Sequence, residues 1–324
     1  MAITSSSNTS FIEASQYSTF ILQNLHDGLL PSTFFRNVTD FPAGTTLNIK
    51  TVGSAVIQEI TEDEDITYNP IESGNVQLVI EDYIGDAFYV TDIMRQDGAQ
   101  VEQLLSMRAA EGTRAIQESF ESRFLATLNA AQDATPNAIN GFAHRLAGNA
   151  GGGSVQMVEN DLIEMRLAFD KANVPMAGRI AIVDPIVAAT FAKTVPLASN
   201  MDASNPLFSA LVKDGFDKEH QFVTSLHGWQ IWTSNRLPKL VAGVSIDGST
   251  NVPSGGGVAN IFMCVADDQC KPGMVAWRQT PATETDRDIS KGRDEFVTKT
   301  RWGDGVQRLD TLGVIVTSAT ATAA

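Results

Sequence analysis

The stretch from Asp97 to Gln132 holds no proline and reads as one long helix. Apolar or small residues recur at Val101, Leu105, Ala109, Gly112, Ile116, Phe120, Phe124 and Leu128, a spacing that lays a single stripe along a helix. Glu102, Arg108, Glu111, Arg114, Glu118 and Glu121 fall largely off that stripe. Asp97 suits the N-cap, where a carboxylate accepts a bond from an orphan backbone N–H, and Gln100 completes a capping box. Asp133, Pro136 and Asn137 end the run. At about 1.5 Å per residue the helix spans roughly 50 Å, more than most compact domains offer. Such a helix either joins a coiled coil or braces elements packed along one side. Its apolar spacing is nearer four than three and a half and no second helix of this kind exists, so a brace is expected.

Upstream, Ser10 to about Asn24 suits an amphipathic helix carrying Phe11, Tyr17, Phe20, Ile21 and Leu25, with Ser10 and Glu13 as its capping box. The period then changes. Thr46–Val52 alternates, and Gln77–Ile80 and Ala87–Val90 do so in part, as strands do. The acidic run from Glu59 to Gly74 lies between them, with Pro70 and Gly74 as turn formers. This makes a two-stranded extension with few residues to build a core of its own, and a lone hairpin is marginal in water. It needs another surface to lie on.

Beyond the long helix, Asn137–Ser154 reads as loop and ends in three glycines, Gly151–Gly153, with no nucleotide-motif lysine after them. Val158–Ala172 reads as a helix, Arg179–Val183 as a buried strand, and Asp184-Pro185 as the cap and first residue of the next helix. Trp229–Thr233, Asn260–Ala266, a start at Val275–Trp277, Phe296–Thr300 and Gly313–Thr317 read as strands, the last two separated by Trp302-Gly303-Asp304-Gly305. The expected organisation is α+β: an arm over 1–41, an extended loop over 42–92, a helix-bearing unit over 93–154, an α/β unit over 155–270, and a return over 271–324.

Charge narrows the function. The net charge is −15 over 324 residues, which argues against a surface built to grip phosphates. No Lys or Arg occurs between Lys50 and Arg95, an interval that includes Glu59, Glu62, Asp63, Glu64 and Asp65. Arg287, Lys291, Arg293, Lys299, Arg301 and Arg308 gather near the other end. Sign segregation of this kind suits complementary surfaces on copies that bind each other, although a solvated acidic hairpin is the plain alternative. No run approaches a membrane span, and MAITSSSNTS has no signal-peptide pattern. The two cysteines, Cys264 and Cys270, make no disulfide framework and read as buried or strand-end thiols. His26, His144, His220 and His227 show no metal-ligand spacing, and His220 and His227 sit in turn-like surroundings that suit surface positions. No catalytic motif is found, so no catalytic, cofactor or metal residue is assigned.

Taken in order, four pieces resemble the major capsid protein of tailed bacteriophages, with its Hong Kong 97-like capsid fold. The acidic extension at about 45–92 resembles the family's extended loop, and Asp97–Gln132 its spine helix. Asn173–Pro185 (NVPMAGRIAIVDP) resembles the turn, central strand and helix start of its axial domain. Thr300–Asp310 (TRWGDGVQRLD) followed by Gly313–Thr317 is similar to the closing hairpin of its peripheral domain. The resemblance implies a structural protein of the virion whose copies form pentamers and hexamers, assembling in the host cytoplasm into an icosahedral shell around double-stranded DNA. DNA would be enclosed without sequence-specific binding and without a membrane. It also implies a portal partner and room for decoration proteins. The shortness of the arm before Ser10 points to a separate scaffolding protein, and the lack of lysine between Thr51 and Arg95 to no lysine cross-link from the extended loop.

Read with the charge pattern, this makes Glu62, Asp63, Glu64 and Asp65 candidate contacts to a neighbouring subunit, with Arg108, Arg114, Arg287, Lys291 and Arg293 as candidate partners. An encapsulin-like nanocompartment of the same fold, a cytoplasmic α/β enzyme and a tail protein stay open as alternatives at this stage.

Overall fold

Two sheets share one long helix in this computed structural model, which describes residues 29–39, 44–53, 57–60, 62, 65, 68, 70, 71, 73–98, 101–132, 138–148, 155–194 and 222–320. The expected helix at Ser10–Asn24, the glycine run Gly151–Gly153, and Asp63, Glu64 and His220 lie outside the described residues.

After a 3-10 turn at Ser32–Phe34 comes a short strand, β1 (Arg36–Asn37). β2 (Thr46–Val52) and β3 (Ser73–Val79) form the two-stranded hairpin, with Thr46 opposite Val79 and Val52 opposite Ser73. β4 (Asp82–Thr91) is not part of it: this strand pairs along its length with β14 (Arg293–Val306). β4 leads into α1 (Asp92–Asp97) and then α2 (Val101–Ala131). The cap of α1 is Thr91, whose Oγ1 accepts the Met94 N–H at 3.3 Å. Asp97 therefore ends a separate short helix instead of capping the long one, and the extended backbone of Gly98 (φ −81°, ψ 131°) makes the break.

The stripe along α2 is largely as spaced. Val101, Gly112, Ile116, Phe124 and Leu128 are buried, and Leu105, Ala109 and Phe120 are half-buried. Glu121, expected off the stripe, is only 6% exposed. Gly112 has a packing reason, since a Cβ there would meet the Asp86 carboxylate of β4 at 2.5 Å.

The segment expected as loop carries strands. β5 (Ala138–Ile139) and β6 (Phe142–Ala143) close over Asn140 and Gly141, both at positive φ as a tight hairpin turn requires. β7 (Arg145–Ala147) follows. Next come α3 (Glu159–Lys171), β8 (Arg179–Val183), α4 (Pro185–Thr194), β9 (Phe222–Leu226), β10 (Trp229–Thr233), β11 (Lys239–Leu240) and β12 (Gly257–Cys264). The Asp161 carboxylate accepts the Val158 N–H at 2.8 Å and so starts α3, while Asp184 accepts the Ile186 N–H at 3.0 Å and starts α4. β13 (Gly273–Asp288) and β14 form a long ribbon, and β15 (Leu312–Ser318) closes the described chain.

The first sheet runs β1-β13-β14-β4. The second has seven strands, in the path β7-β15-β12-β8-β10-β9 with β11 also on β12. β15 thus sits inside the second sheet, in register with β12 from Gly257 opposite Ser318 to Met263 opposite Leu312. It does not form a hairpin with Thr300–Asp310. Its uninterrupted burial explains the choice, because all seven residues are covered and only a strand inside a sheet is covered on both faces. Trp302–Gly305 is not a gap between strands but the last part of β14.

β8 shows how the core is layered. Its five residues are buried and alternate in direction. Ala181 and Val183 meet Leu162, Met165 and Phe169 of α3 and Val187 and Phe191 of α4. Ile180 and Ile182 meet Phe124, Leu125 and Leu128 of α2. The second sheet therefore has α3 and α4 on one face and the C-terminal half of the long helix on the other. That same half packs on Val275 and Trp302 of the first sheet, so α2 braces both.

Candidate assembly surfaces

The hairpin is fixed at one end and bare at the other. At its root Leu78 is fully buried with Met274 and Ala276, and Leu47, Ile49 and Val76 pack around them. β3 crosses β14 where Gly303 and Gly305 leave space: a Cβ on Gly303 would lie 2.8 Å from the Ile80 Cα, and one on Gly305 3.1 Å from Leu78 Cδ1. The Ile80 N–H to Thr45 carbonyl bond (2.8 Å) and the Arg278 guanidinium on the Gly44 carbonyl (2.7 Å) complete the anchor.

Past Val52 this changes. Every described residue between Val52 and Ser73 is exposed. These include Ile57 (94% exposed), Ile60, Tyr68 (91%) and Ile71, interleaved with Glu59, Glu62 and Asp65. In the sequence this segment reads as acidic. Its apolar members Ile57, Ile60, Tyr68 and Ile71 are legible in the sequence and stand exposed among the acids.

The second surface is the far end of the β13–β14 ribbon. Arg287 bridges Asp92 at 2.9 Å and Asp294 at 2.9 Å, and Arg95 reaches Asp294 at 2.6 Å. Lys291 and Arg293 both approach Asp288, at 3.5 and 3.8 Å, and Arg293 also holds Glu295 at 2.5 Å. Arg293 lies over the Tyr89 ring, 4.7 Å from its centre. The Asp294 carboxyl is held below its usual range by the Arg287 hydrogen bond, and the Asp288 carboxyl likewise by Ser290. Ile93, Met94 and Ile289 stand exposed beside this network.

The third set ties α2 to β4. Arg108 holds Asp86 at 2.7 Å and lies over the Phe88 ring, and Arg123 pairs with Asp82. Arg114 pairs with Glu118 one turn on, at 3.3 Å. The five basic candidates thus fall in two places: Arg287, Lys291 and Arg293 together at the ribbon end, and Arg108 and Arg114 along the helix. Each has an acidic partner within its own chain. Of the acidic candidates, Glu62 and Asp65 are exposed at the hairpin tip.

Sequence reasoning misses two buried polar knots on the long helix. In the first, Glu121 accepts Ser234 Oγ at 3.1 Å and the Leu30 N–H at 3.2 Å, and pairs with Arg236 at 3.2 Å. In the second, Arg145 donates to the Gln132 carbonyl at 2.6 Å and to Asn129 Oδ1 at 3.1 Å, placing a cation at the C-terminal end of α2 where the helix dipole favours one. Among the described residues no group of three or more His, Cys, Asp or Glu is placed to hold a metal. His227, expected at the surface, is half-buried with its Nε2 2.6 Å from Glu159. Both cysteines are free thiols, and burial pushes that of Cys264, the last residue of β12, up. No described helix is long and apolar enough to cross a membrane.

The fold has many solved counterparts. The capsid of cyanophage P-SCSP1u superimposes with a TM-score of 0.69 at 15% identity, covering 93% of this chain and 92% of that one. The mature capsid of bacteriophage PhiM1 gives 0.67 at 13% identity over 96% and 93%, and the capsid of Ralstonia phage GP4 0.65 at 10% over 95% and 96%. At these identities the likeness establishes the fold, which is the α+β Hong Kong 97-like capsid fold. No curated protein sequence matches the chain. The model of the family described as phage capsid protein matches residues 75–317, from within β3 to β15 and so across both sheets and the long helix between them, and the chain belongs to that family.

Proposed function

We propose that this chain is the major capsid protein of a tailed phage, a structural protein whose copies assemble as pentamers and hexamers into an icosahedral shell around double-stranded DNA. One observation carries the reading: the hairpin is locked at its root and uncovered at its tip. Burying an Ile or Tyr contributes about 1.5–3 kcal/mol, so four such residues in water are a strong drive toward a partner. A sister subunit supplies the surface, and closure of the shell multiplies each modest contact.

In this reading Glu62, Asp63, Glu64 and Asp65 face basic residues of a neighbour, drawn from Arg108, Arg114, Arg287, Lys291 and Arg293. Because those cations already have partners in their own chain, the contact is an exchange of partners. Exposed pairs contribute about 0–1 kcal/mol each, so the acids set register while the apolar tip supplies affinity. A separate scaffolding protein, a portal and decoration proteins complete the assembly, which takes place in the host cytoplasm. The enclosed DNA is not gripped, in keeping with a net charge of −15.

Electron microscopy of the expressed protein tests this. Closed shells, or capsomers that close when a scaffold is supplied, are expected. A population of lone subunits at all concentrations would overturn it.

A further inference from the structure

A cavity of about 330 Å³ opens where the first described residues meet the long helix. Leu29 and Leu30 line one side, Phe120 and Phe124 of α2 another, and Trp277 and Pro281 of β13 a third. The β13–β14 register shifts between Trp277 and Gln279 and again between Gln279 and Ala282, so the strand is irregular where it lines the cavity. The wall is aromatic: the Phe120 ring centre lies 4.8 Å from that of Trp277 and 5.6 Å from that of Trp302, with Phe35 5.4 Å away. Its buried carboxylate, Glu121, is already engaged by Ser234, Arg236 and the Leu30 N–H. A polar guest would find that group taken, whereas an apolar one fits.

We infer that this cavity is the seat of the chain's own arm, filled by the side chains of Leu25 and Ile21. Three observations carry the inference. The described chain begins at the mouth of the cavity, with Leu29 and Leu30 forming part of its wall. Leu25 is four residues upstream of Leu29, a span of at most about 14 Å, so its side chain has the reach. Phe20, Ile21 and Leu25 recur at the spacing of one apolar helix face in a segment otherwise rich in Ser, Thr, Gln and Asn. The short tether favours the same chain over a neighbour, because it holds the segment at an effective concentration on the order of mM. Seated there, the arm would extend the α2 brace and cover the aromatic wall. The inference stands apart from shell formation, since it concerns contacts within one subunit.

Disulfide trapping in the full-length chain tests it. Leu25→Cys is combined with Thr280→Cys at the cavity rim, with Cys270→Ser to remove the half-buried native thiol, and oxidised glutathione is added. The control carries Asn8→Cys in place of Leu25→Cys. The expected result is a link within one chain, identified by peptide mapping, at about five-fold or more over the control, as a short tether implies. A covalent dimer in its place would give the seat to a neighbour's arm and overturn the inference, as would linkage no higher than the control. A second measurement needs no cysteine: Leu25→Asp should raise emission of an added apolar dye several-fold over the unaltered protein as the cavity opens. Unchanged emission would count against the inference.

Discussion

Gly303 of β14 lies directly beneath Ile80, so close that a side chain on it would press 2.8 Å from the Ile80 Cα and collide with the Val79 carbonyl. This contact sets the departure of the hairpin from the body. Gly303→Ala should shift the root and cost about 1–3 kcal/mol, as overpacking of a tight site does. Thermal unfolding would report the loss, and assembly should fail with it because the tip would be aimed wrongly. A variant of unchanged stability would show that the crossing is loose.

The apolar tip should behave in the opposite way. Ile57→Ser, Ile60→Ser, Tyr68→Ser and Ile71→Ser combined should leave subunit stability within about 0.5 kcal/mol, since these side chains touch little of their own chain. Particle yield by sedimentation should drop sharply. Reversal of Glu62, Asp63, Glu64 and Asp65 to Lys should likewise block assembly and spare the fold, and normal particles from it would remove the acids from the contact.

How far the sequence shows this arrangement depends on whether the cause is local. The strand Arg179–Val183 and the helix start at Asp184-Pro185 are legible because five successive residues and a cap declare them. The length of α2 is legible from its proline-free apolar stripe, although the residue that suits its cap, Asp97, ends α1 instead. Glu121 is not, because its partner Ser234 is 113 residues away and nothing near Glu121 marks it as buried. The glycines of Trp302–Gly305 read as a break between strands, whereas they admit a crossing backbone. The placement of β15 beside β12 is a non-local pairing that no short stretch encodes. At the hairpin tip the isoleucines sit singly among acidic residues, with no strand or helix period to mark them as a face.

Glu121→Ala should be among the most damaging single changes. It removes the acceptor of the Ser234 hydroxyl and the Leu30 N–H and one of the two carboxylates near Arg236, which also lies 3.9 Å from Glu118, and removing one partner of a buried pair costs about 3–5 kcal/mol. Arg236 is 12% exposed in its side chain, so little water reaches it. Denaturant unfolding would measure the cost, and Glu121→Gln should recover part of it by keeping an acceptor.

His144 makes stability depend on pH. Burial pushes its imidazole, stacked on Phe169, below the ordinary 6.5, while the Phe142 carbonyl 3.2 Å from its Nδ1 and the nearby Asp310 act the other way. The folded chain therefore resists a proton that the unfolded chain accepts. Stability from this group is fully present above about 6.5 and declines as pH falls below that value. Melting temperature followed from pH 7.5 to 5 should decline, and His144→Gln should flatten that decline. An identical slope in both proteins would exclude His144 as its source.

The central claim is that sister copies cover the hairpin tip, and amide hydrogen exchange over residues 57–71 tests it most directly. Exchange in dispersed subunits should be fast through this stretch, and in purified particles it should slow while the root at Leu78 stays protected in both. Equally fast exchange of 57–71 in particles and in subunits would contradict the account.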